Sequence, residues 1–125
     1  MEKKIIKTEL APEAVGTYSQ GVCINGTYYF SGQIGLNPET MELEKGFSLQ
    51  LNRILKNIDG LLTSQDLKRE NIIKTSIFLT NLERFSEVNE AYTEYFEHPY
   101  PARSCVEVPA LPKGAEIEIE VIAAK

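Results

Sequence analysis

The chain has 125 residues, a mass of 14.1 kDa and a formal net charge of −5 at pH 7. This length predicts one domain, over residues 1–125, with a core of its own. The acidic excess argues against a nucleic-acid partner, because phosphate binding needs many Lys and Arg side chains. The sequence has no run of about 18 apolar residues, so we expect no membrane span. It shows no signal peptide and only two cysteines, which favours a reduced, cytoplasmic protein.

The first half of the chain predicts a strand, a hairpin and a helix. The segment "KKIIKT" (3–8) is β-prone, and Asn25-Gly26 lies between two β-prone runs, which is a strong hairpin signal. Over about 46–64 the apolar residues recur at steps of three and four, which predicts a helix with one apolar face. Gly60 inside this helix indicates a close neighbour that requires a small residue. The apolar face consists of Leu51, Ile54, Leu55, Ile58, Leu61 and Leu62.

The second half predicts a strand, a helix and two further strands. Segment 71–81 has apolar residues on both faces, which is typical of a central strand. A helix is predicted over about 82–96, with Asn81 as its N-cap. The last two strands are predicted at 102–108 and 115–124.

This order of elements predicts an α+β fold, in which a mixed sheet carries both helices on one face. In the last strand Ile117 and Ile119 point to one face of the sheet, and Glu118 and Glu120 point to the other. The face without helices therefore combines carboxylates with apolar side chains. Such a face suits contact with another subunit, so we expect an oligomer.

Few side chains are placed for chemistry. The single histidine, His98, has no ligating neighbour at metal spacing and is predicted to lie in a surface turn. Arg103 lies on a strand flanked by prolines, and its guanidinium can bind a carboxylate through two parallel hydrogen bonds. Two interpretations of it stay open, an ion pair with Glu107 or with a neighbour's carboxylate, or a substrate site. Glu118 and Glu120 are likewise either an exposed or interface pair or part of such a site.

Four segments of the chain carry a family signature: "APEAVGTYSQGV" (11–22), "FSGQIGLNPET" (30–40), "IIKTSIFLTNLERFSEVNEAYTEYF" (72–96) and "PARSCVEVPALPKGAEIEIEVIA" (101–123). They resemble the RidA/YjgF family of reactive-intermediate (imine/enamine) deaminases, and the resemblance extends over nearly the whole chain. It implies a chorismate-mutase-like α+β fold and a homotrimer with active sites between subunits. It also implies hydrolysis of the 2-imino acids 2-iminobutanoate and 2-iminopropanoate to 2-keto acids and ammonia, with no cofactor and no metal.

The same resemblance assigns the site residues. Arg103 holds the substrate carboxylate, the backbone carbonyl of Cys105 accepts from the iminium nitrogen, and Glu118 positions the attacking water. The thiol of Cys105 is not the nucleophile in this assignment. The substrate-binding positions are Tyr18, Ser31, Gly32 and Asn89.

The chain departs from the family pattern at a few positions. Thr17 stands where proline is common, and Met41 stands where glycine usually follows "PET", so the preferred substrate is not settled by the resemblance. Two other functions stay open. One is a regulatory protein that binds 2-keto acids in the same cleft without turnover. The other is an RNA-acting or chaperone role, and the net charge of −5 speaks against RNA.

Overall fold

A computed structural model describes residues 2–125 as a six-stranded sheet with two α-helices on one face. The elements are β1 (Lys4–Ile6), β2 (Gly21–Ile24), β3 (Thr27–Phe30), α1 (Phe47–Ser64), β4 (Ile72–Leu79), α2 (Phe85–Tyr95), β5 (Ala102–Glu107) and β6 (Ile117–Ala124). The strand order is β1-β2-β3-β6-β4-β5; β4 and β5 are parallel, and the other neighbouring strands are antiparallel. The predicted α+β architecture is confirmed.

The β2–β3 hairpin has the turn that its sequence predicts. Asn25 and Gly26 have φ angles of 48° and 78°, the left-handed pair that a two-residue type I′ turn requires. In β3, Tyr28 and Phe30 are buried, whereas Tyr29 between them is 46% exposed. This alternation shows that the hairpin gives one face to the core and leaves the other face uncovered.

The core lies between the sheet and the apolar faces of α1 and α2. Ile54 and Leu61 of α1 and Val88 of α2 have no exposed surface, and neither has Ile117 of β6. Burial of each such side chain stabilises the fold by about 1.5–3 kcal/mol. Strand β4 lies between β6 and β5, as expected of a central strand. Within residues 2–125, neither helix combines the length and the apolar character needed to cross a lipid bilayer.

The N-terminal loop packs tightly against α1 at Gly60. A Cβ atom at this position would lie 2.1 Å from the carbonyl oxygen of Leu10, so the predicted need for a small residue is confirmed. The buried side chain of Gln20 fastens the same loop. Its amide nitrogen donates to the carbonyls of Ala11 and Pro12 at 3.2 and 2.8 Å. The loop is therefore held firmly beside the strand ends that carry the cavity described below.

The second helix begins differently from the prediction. Leu82–Arg84 form a 3₁₀ turn, and the α-helix starts at Phe85. Asn81 has the predicted capping role, since its Oδ1 accepts from the N–H of Glu83 at 3.0 Å, but it caps the 3₁₀ turn. Such tight first turns are common at helix N-termini. Strand β1 is also shorter than the predicted segment 3–8.

Candidate functional site

Arg103 projects from β5 toward the helices and lies against α2. Its Nη1 donates a hydrogen bond of 2.7 Å to Oδ1 of Asn89. The guanidinium carbon lies 4.8 Å from the ring centroid of Phe85 and 5.9 Å from that of Tyr92. Aromatic faces stabilise a cation without neutralising it. We call this surface the Arg103 cleft; its lining comprises Asn89, Tyr92, Thr93, Tyr100, Pro101 and Arg103.

The ion pair between Arg103 and Glu107 is not formed. Glu107 instead accepts a hydrogen bond of 2.8 Å from the N–H of Leu82, through its Oε1. Throughout residues 2–125, no carboxylate lies within salt-bridge distance of Arg103. The cleft therefore presents a cation with no counter-ion, which is the condition for binding the carboxylate of a ligand.

The two titratable side chains near Arg103, Tyr92 and Cys105, carry no charge. Tyr92 is 7% exposed, and burial raises the pKa of its hydroxyl to about 12. Cys105 is half-buried, and burial raises the pKa of its thiol, although the guanidinium of Arg103 acts in the opposite direction. At neutral pH both groups are protonated. A protonated and partly covered thiol is a poor nucleophile.

A second cavity lies on the sheet face without helices. Four of the predicted residues line it, namely Tyr18, Ser31, Gly32 and Glu118, and we call it the Glu118 cavity. Strand β6 presents the Glu118 side chain there because the residues on either side of it are buried in the core. The helix-free face was expected to carry Glu118 and Glu120, and it does.

The backbone beside Glu118 leaves room for the carboxylate because residue 32 is glycine. Two hydrogen bonds of 2.8 and 3.0 Å join the backbones of Gln33 and Ile119, and they bring Gly32 against β6. A Cβ atom on Gly32 would lie 2.6 Å from Oε2 of Glu118. Any larger residue at position 32 would therefore displace the carboxylate.

Ser31 and Gly32 differ in what they can offer a ligand. The N–H of Ser31 donates to the carbonyl of Gln20 at 2.9 Å, and its hydroxyl donates to the carbonyl of Ser19 at 2.6 Å. The N–H of Gly32 has no backbone acceptor within residues 2–125. Gly32 is thus the position with a donor available, while Ser31 anchors the segment.

The Glu118 carboxyl is half-buried beside a second carboxylate. Burial raises its pKa above the ordinary value of 4.5, and the neighbouring Glu120 raises that pKa further. Lys113 and Glu13 line the same cavity. A raised pKa makes a carboxylate a stronger base toward water.

The predicted residues form two groups on opposite faces of the sheet. Arg103 and Cys105 are in register with Thr75 and Ile77, which are buried against the helices. Glu118 points away from the helices. The first group comprises Arg103, Asn89 and Cys105. The second group comprises Glu118, Tyr18, Ser31 and Gly32. Within one chain the two groups do not meet.

Sequence reasoning missed two features of these sites. Neither Phe85 nor Tyr92 was predicted to have a role in a site, yet both lie under the guanidinium of Arg103. Their spacing of seven residues, two helical turns, is the signal that places both on one side of α2. The anchoring role of Gln20 has no local signal beyond its place in "TYSQ". His98 is exposed, as predicted, and residues 2–125 contain no cluster of three or more metal-ligating side chains.

Comparison with known protein families decides which family this architecture represents. A model of the family described as Endoribonuclease L-PSP matches residues 8–125. The chain belongs to this family. Rid proteins and named imino acid deaminases are among the chain's relatives, so the resemblance to the RidA/YjgF family is confirmed.

Individual relatives cover almost the whole chain. A RutC family protein of Aquifex aeolicus is 50% identical over 122 residues, which are 96% of this chain and 98% of that protein. A protein of Homo sapiens named 2-iminobutanoate/2-iminopropanoate deaminase is 40% identical over 122 residues, 97% of this chain and 89% of that protein. The crystal structure of the Rid family protein YyfA from Yersinia pestis has a TM-score of 0.96 at 49% identity, and covers 99% of this chain and 100% of that chain.

Proposed function

We propose that this protein is a 2-imino acid deaminase, which hydrolyses 2-iminobutanoate and 2-iminopropanoate to 2-keto acids and ammonia. Pyridoxal-phosphate dehydratases release these imines from threonine and serine, so in the cytoplasm the enzyme would limit damage by reactive compounds. One observation carries the proposal: within residues 2–125, neither Arg103 nor Glu118 has an ion-pair partner. A protonated 2-imino acid carries the complementary charges, a carboxylate and an iminium.

The side chains of Arg103 and Glu118 project from opposite faces of the sheet. Two copies of the chain therefore best bring the guanidinium and the carboxylate to one substrate. A head-to-tail contact, in which the Arg103 cleft of one copy meets the Glu118 cavity of the next, closes into a ring with equivalent sites. We propose a homotrimer of this kind. One copy would contribute Arg103, Cys105 and Asn89, and its neighbour Tyr18, Ser31, Gly32 and Glu118.

The helix-free face offers a surface for this assembly. Ile5, Val22, Tyr29 and Ile122 are in register across four adjacent strands and form an apolar row on that face. Ile5 is 57% exposed and Tyr29 46% exposed. A contiguous exposed apolar patch of this kind is typical of a protein–protein contact.

Substrate binding would follow from the donors available at the two surfaces. The guanidinium of Arg103 can donate two parallel hydrogen bonds to the imino acid carboxylate, and the N–H of Gly32 can add a third. Each charge-assisted hydrogen bond contributes about 1.5–3 kcal/mol. The backbone carbonyl of Cys105 would accept from the iminium N–H and so fix the plane of the C=N bond.

Hydrolysis would proceed by addition of water and loss of ammonia. Glu118 accepts a proton from water while the water oxygen attacks carbon 2, and the C=N electron pair moves to nitrogen. Glu118 then passes the proton to the nitrogen of the carbinolamine. The C–N bond breaks, the hydroxyl proton leaves with ammonia as ammonium, and the 2-keto acid remains. One preorganised polar group contributes roughly 10²–10³-fold in rate, which is substantial for an imine that already hydrolyses in water.

The proposal is tested by competition for the imine. Threonine dehydratase releases 2-iminobutanoate in the presence of an amine that traps it, with and without this protein. We expect the wild-type protein to suppress the trapped adduct and Arg103→Ala to suppress it far less. If the wild-type protein leaves the adduct unchanged, or if Arg103→Ala competes equally well, the deaminase assignment is wrong.

The shared site is tested separately by mixing subunits. Arg103→Ala and Glu118→Ala chains with different tags are co-expressed, and the mixed oligomers are isolated through both tags. Each head-to-tail trimer that contains both variants combines an intact Arg103 with an intact Glu118 at about one third of its sites. We therefore expect restored activity in the mixture. Oligomers of the wild type and the double variant are the control for dilution of active subunits. If the mixture of single variants is as inactive as each variant alone, Arg103 and Glu118 of the same chain form the site, and the shared-site proposal is wrong.

Binding of 2-keto acids without turnover is the alternative, because the same cation would hold the product carboxylate. Calorimetric titration with 2-oxobutanoate distinguishes the two functions. Tight binding together with an unchanged trap assay would favour the regulatory protein. Weak binding together with suppression of the adduct would favour the enzyme.

A further inference from the structure

Met41 lies between β3 and α1 and lines the Glu118 cavity. Its φ angle is 60°, a left-handed conformation that glycine adopts freely and other residues rarely adopt. Among residues 2–125, Lys113 is the other lining residue of this cavity that combines a side chain with a positive φ, at 59°. Unfavourable backbone conformations that persist at a cavity wall point to a function of the side chain held there.

The loop around Met41 is held by its own hydrogen bonds. The N–H of Met41 donates to the carbonyl of Asn37 at 2.7 Å, and the N–H of Asn37 donates to the carbonyl of Glu42 at 3.0 Å. The side-chain oxygen of Asn37 accepts from the N–H of Glu39 at 2.8 Å. The Met41 side chain is therefore presented to the cavity from a fixed backbone.

In a single chain the Glu118 cavity has room for more than a three- or four-carbon imino acid. Its volume is about 690 Å³, in the range of cavities that hold drug-sized molecules. Val15, Ile34, Leu36 and Met41 give it an apolar lining, while Glu118 gives it a charge. An apolar lining of this extent has room for the side chain of a longer substrate.

We propose that Met41 is the residue that sets the side-chain preference of the deaminase. Its flexible thioether forms the wall against which the substrate side chain packs, and it favours unbranched apolar 2-imino acids of five or six carbon atoms over 2-iminopropanoate. This inference rests on the proposed function, since it concerns the same cavity.

The test measures kcat/KM for 2-imino acids of three, four, five and six carbon atoms, generated by an amino acid oxidase. Each methylene that packs on an apolar wall is worth about four-fold, so we expect the wild-type value to rise along the series. In Met41→Gly the six-to-three-carbon ratio should fall about ten-fold. Met41→Leu, which keeps an apolar side chain, should retain most of the preference.

Binding of the corresponding 2-keto acids, measured by calorimetry, is the second arm. If no imine is turned over but keto-acid affinity rises with chain length and loses that trend in Met41→Gly, the deaminase proposal fails and the role of Met41 holds. If imines are turned over and the chain-length ratio is the same in wild type and Met41→Gly, the role of Met41 is wrong. A flat series in the wild type, by both measurements, also overturns it.

Asn25→Gly is the matched control for the backbone. Asn25 has a φ angle of 48° in the hairpin turn and does not line the Glu118 cavity. Glycine adopts the left-handed conformation freely at both positions, so neither variant strains the backbone, and only Met41→Gly should change the chain-length ratio. An equal change in Asn25→Gly would show that the effect comes from the backbone and would contradict the proposal.

Discussion

The Arg103 cleft and the Glu118 cavity lie on opposite faces of one sheet and hold opposite charges in different ways. The Arg103 guanidinium is exposed, held in place by an amide and by aromatic rings. The Glu118 carboxylate is half-buried, with a second carboxylate nearby and a free N–H at Gly32. One surface positions an exposed cation, whereas the other raises the basicity of an anion.

This difference suggests a division of work between the two surfaces. A rigid and accessible guanidinium is suited to recognition, because its donors match a carboxylate geometrically. A partly desolvated carboxylate is suited to proton transfer, because its pKa is moved toward neutrality. Changes in the Arg103 cleft should therefore affect binding most, and changes in the Glu118 cavity should affect the rate of chemistry and its pH dependence.

The largest effect is expected from Arg103→Lys. A lysine keeps the charge but loses the two-pronged donor and the flat contact on Phe85, so kcat/KM should fall about 10²-fold, mainly through KM. Arg84→Lys is the matched control, since Arg84 also lies over an aromatic ring, that of Phe47 at 4.5 Å, and lies outside both surfaces. A similar loss in both variants, measured by steady-state kinetics, would show that charge geometry at Arg103 has no special role.

The second-largest effect on activity is expected from Gly32→Ala. The new methyl group would meet the Glu118 carboxylate, whose nearest oxygen is 2.6 Å from the Cβ position. Because the end of a glutamate side chain can move, the fold should tolerate the change, while kcat should fall about ten-fold through misplacement of the base. Rate and melting temperature are measured together.

Gly60→Ala is the counterpart of Gly32→Ala. Here the methyl group would meet the backbone of Leu10 at 2.1 Å, which cannot move aside cheaply, so stability should fall by about 1–3 kcal/mol. The kcat per folded molecule should stay unchanged. If Gly32→Ala lowered stability and spared kcat, the crowding of Glu118 would have no catalytic consequence.

The sequence predicted the elements far better than it predicted the relation between the two surfaces. Apolar spacing defines α1 and the Asn25-Gly26 turn defines its hairpin, because both signals are local. That Arg103 and Glu118 leave opposite faces depends on strand order and register between β4, β5 and β6. These pairings join residues far apart in the chain, so no local pattern contains them. The fit between Gly32 and Glu118 is non-local for the same reason.

A smaller effect is expected from Glu120→Gln on the pH profile. Proton abstraction needs ionised Glu118, so kcat/KM should decline as the pH falls through the pKa of Glu118, which lies above 4.5. Removing the neighbouring negative charge lowers that pKa, so the acid limb should move to lower pH. Lys113 and Glu13, which line the same cavity, are unchanged in this variant. If the acid limb of the kcat/KM profile stays in place or moves to higher pH, the ionisation of a group other than Glu118 determines it.

The smallest effect is expected from Cys105→Ala. The backbone carbonyl at this position persists in the variant, and the thiol that is lost is protonated at neutral pH, because burial raises its pKa. We expect kcat/KM to change less than about three-fold, with at most about 1 kcal/mol lost from packing. Iodoacetamide should likewise inactivate the wild-type protein slowly, because the thiolate is scarce. Two results would contradict this prediction: a loss of kcat/KM of about 10²-fold in Cys105→Ala, or rapid alkylation that matches the loss of activity. Either result would show that the thiol of Cys105 takes part in the reaction, so that the side of the site around Arg103 serves chemistry as well as recognition.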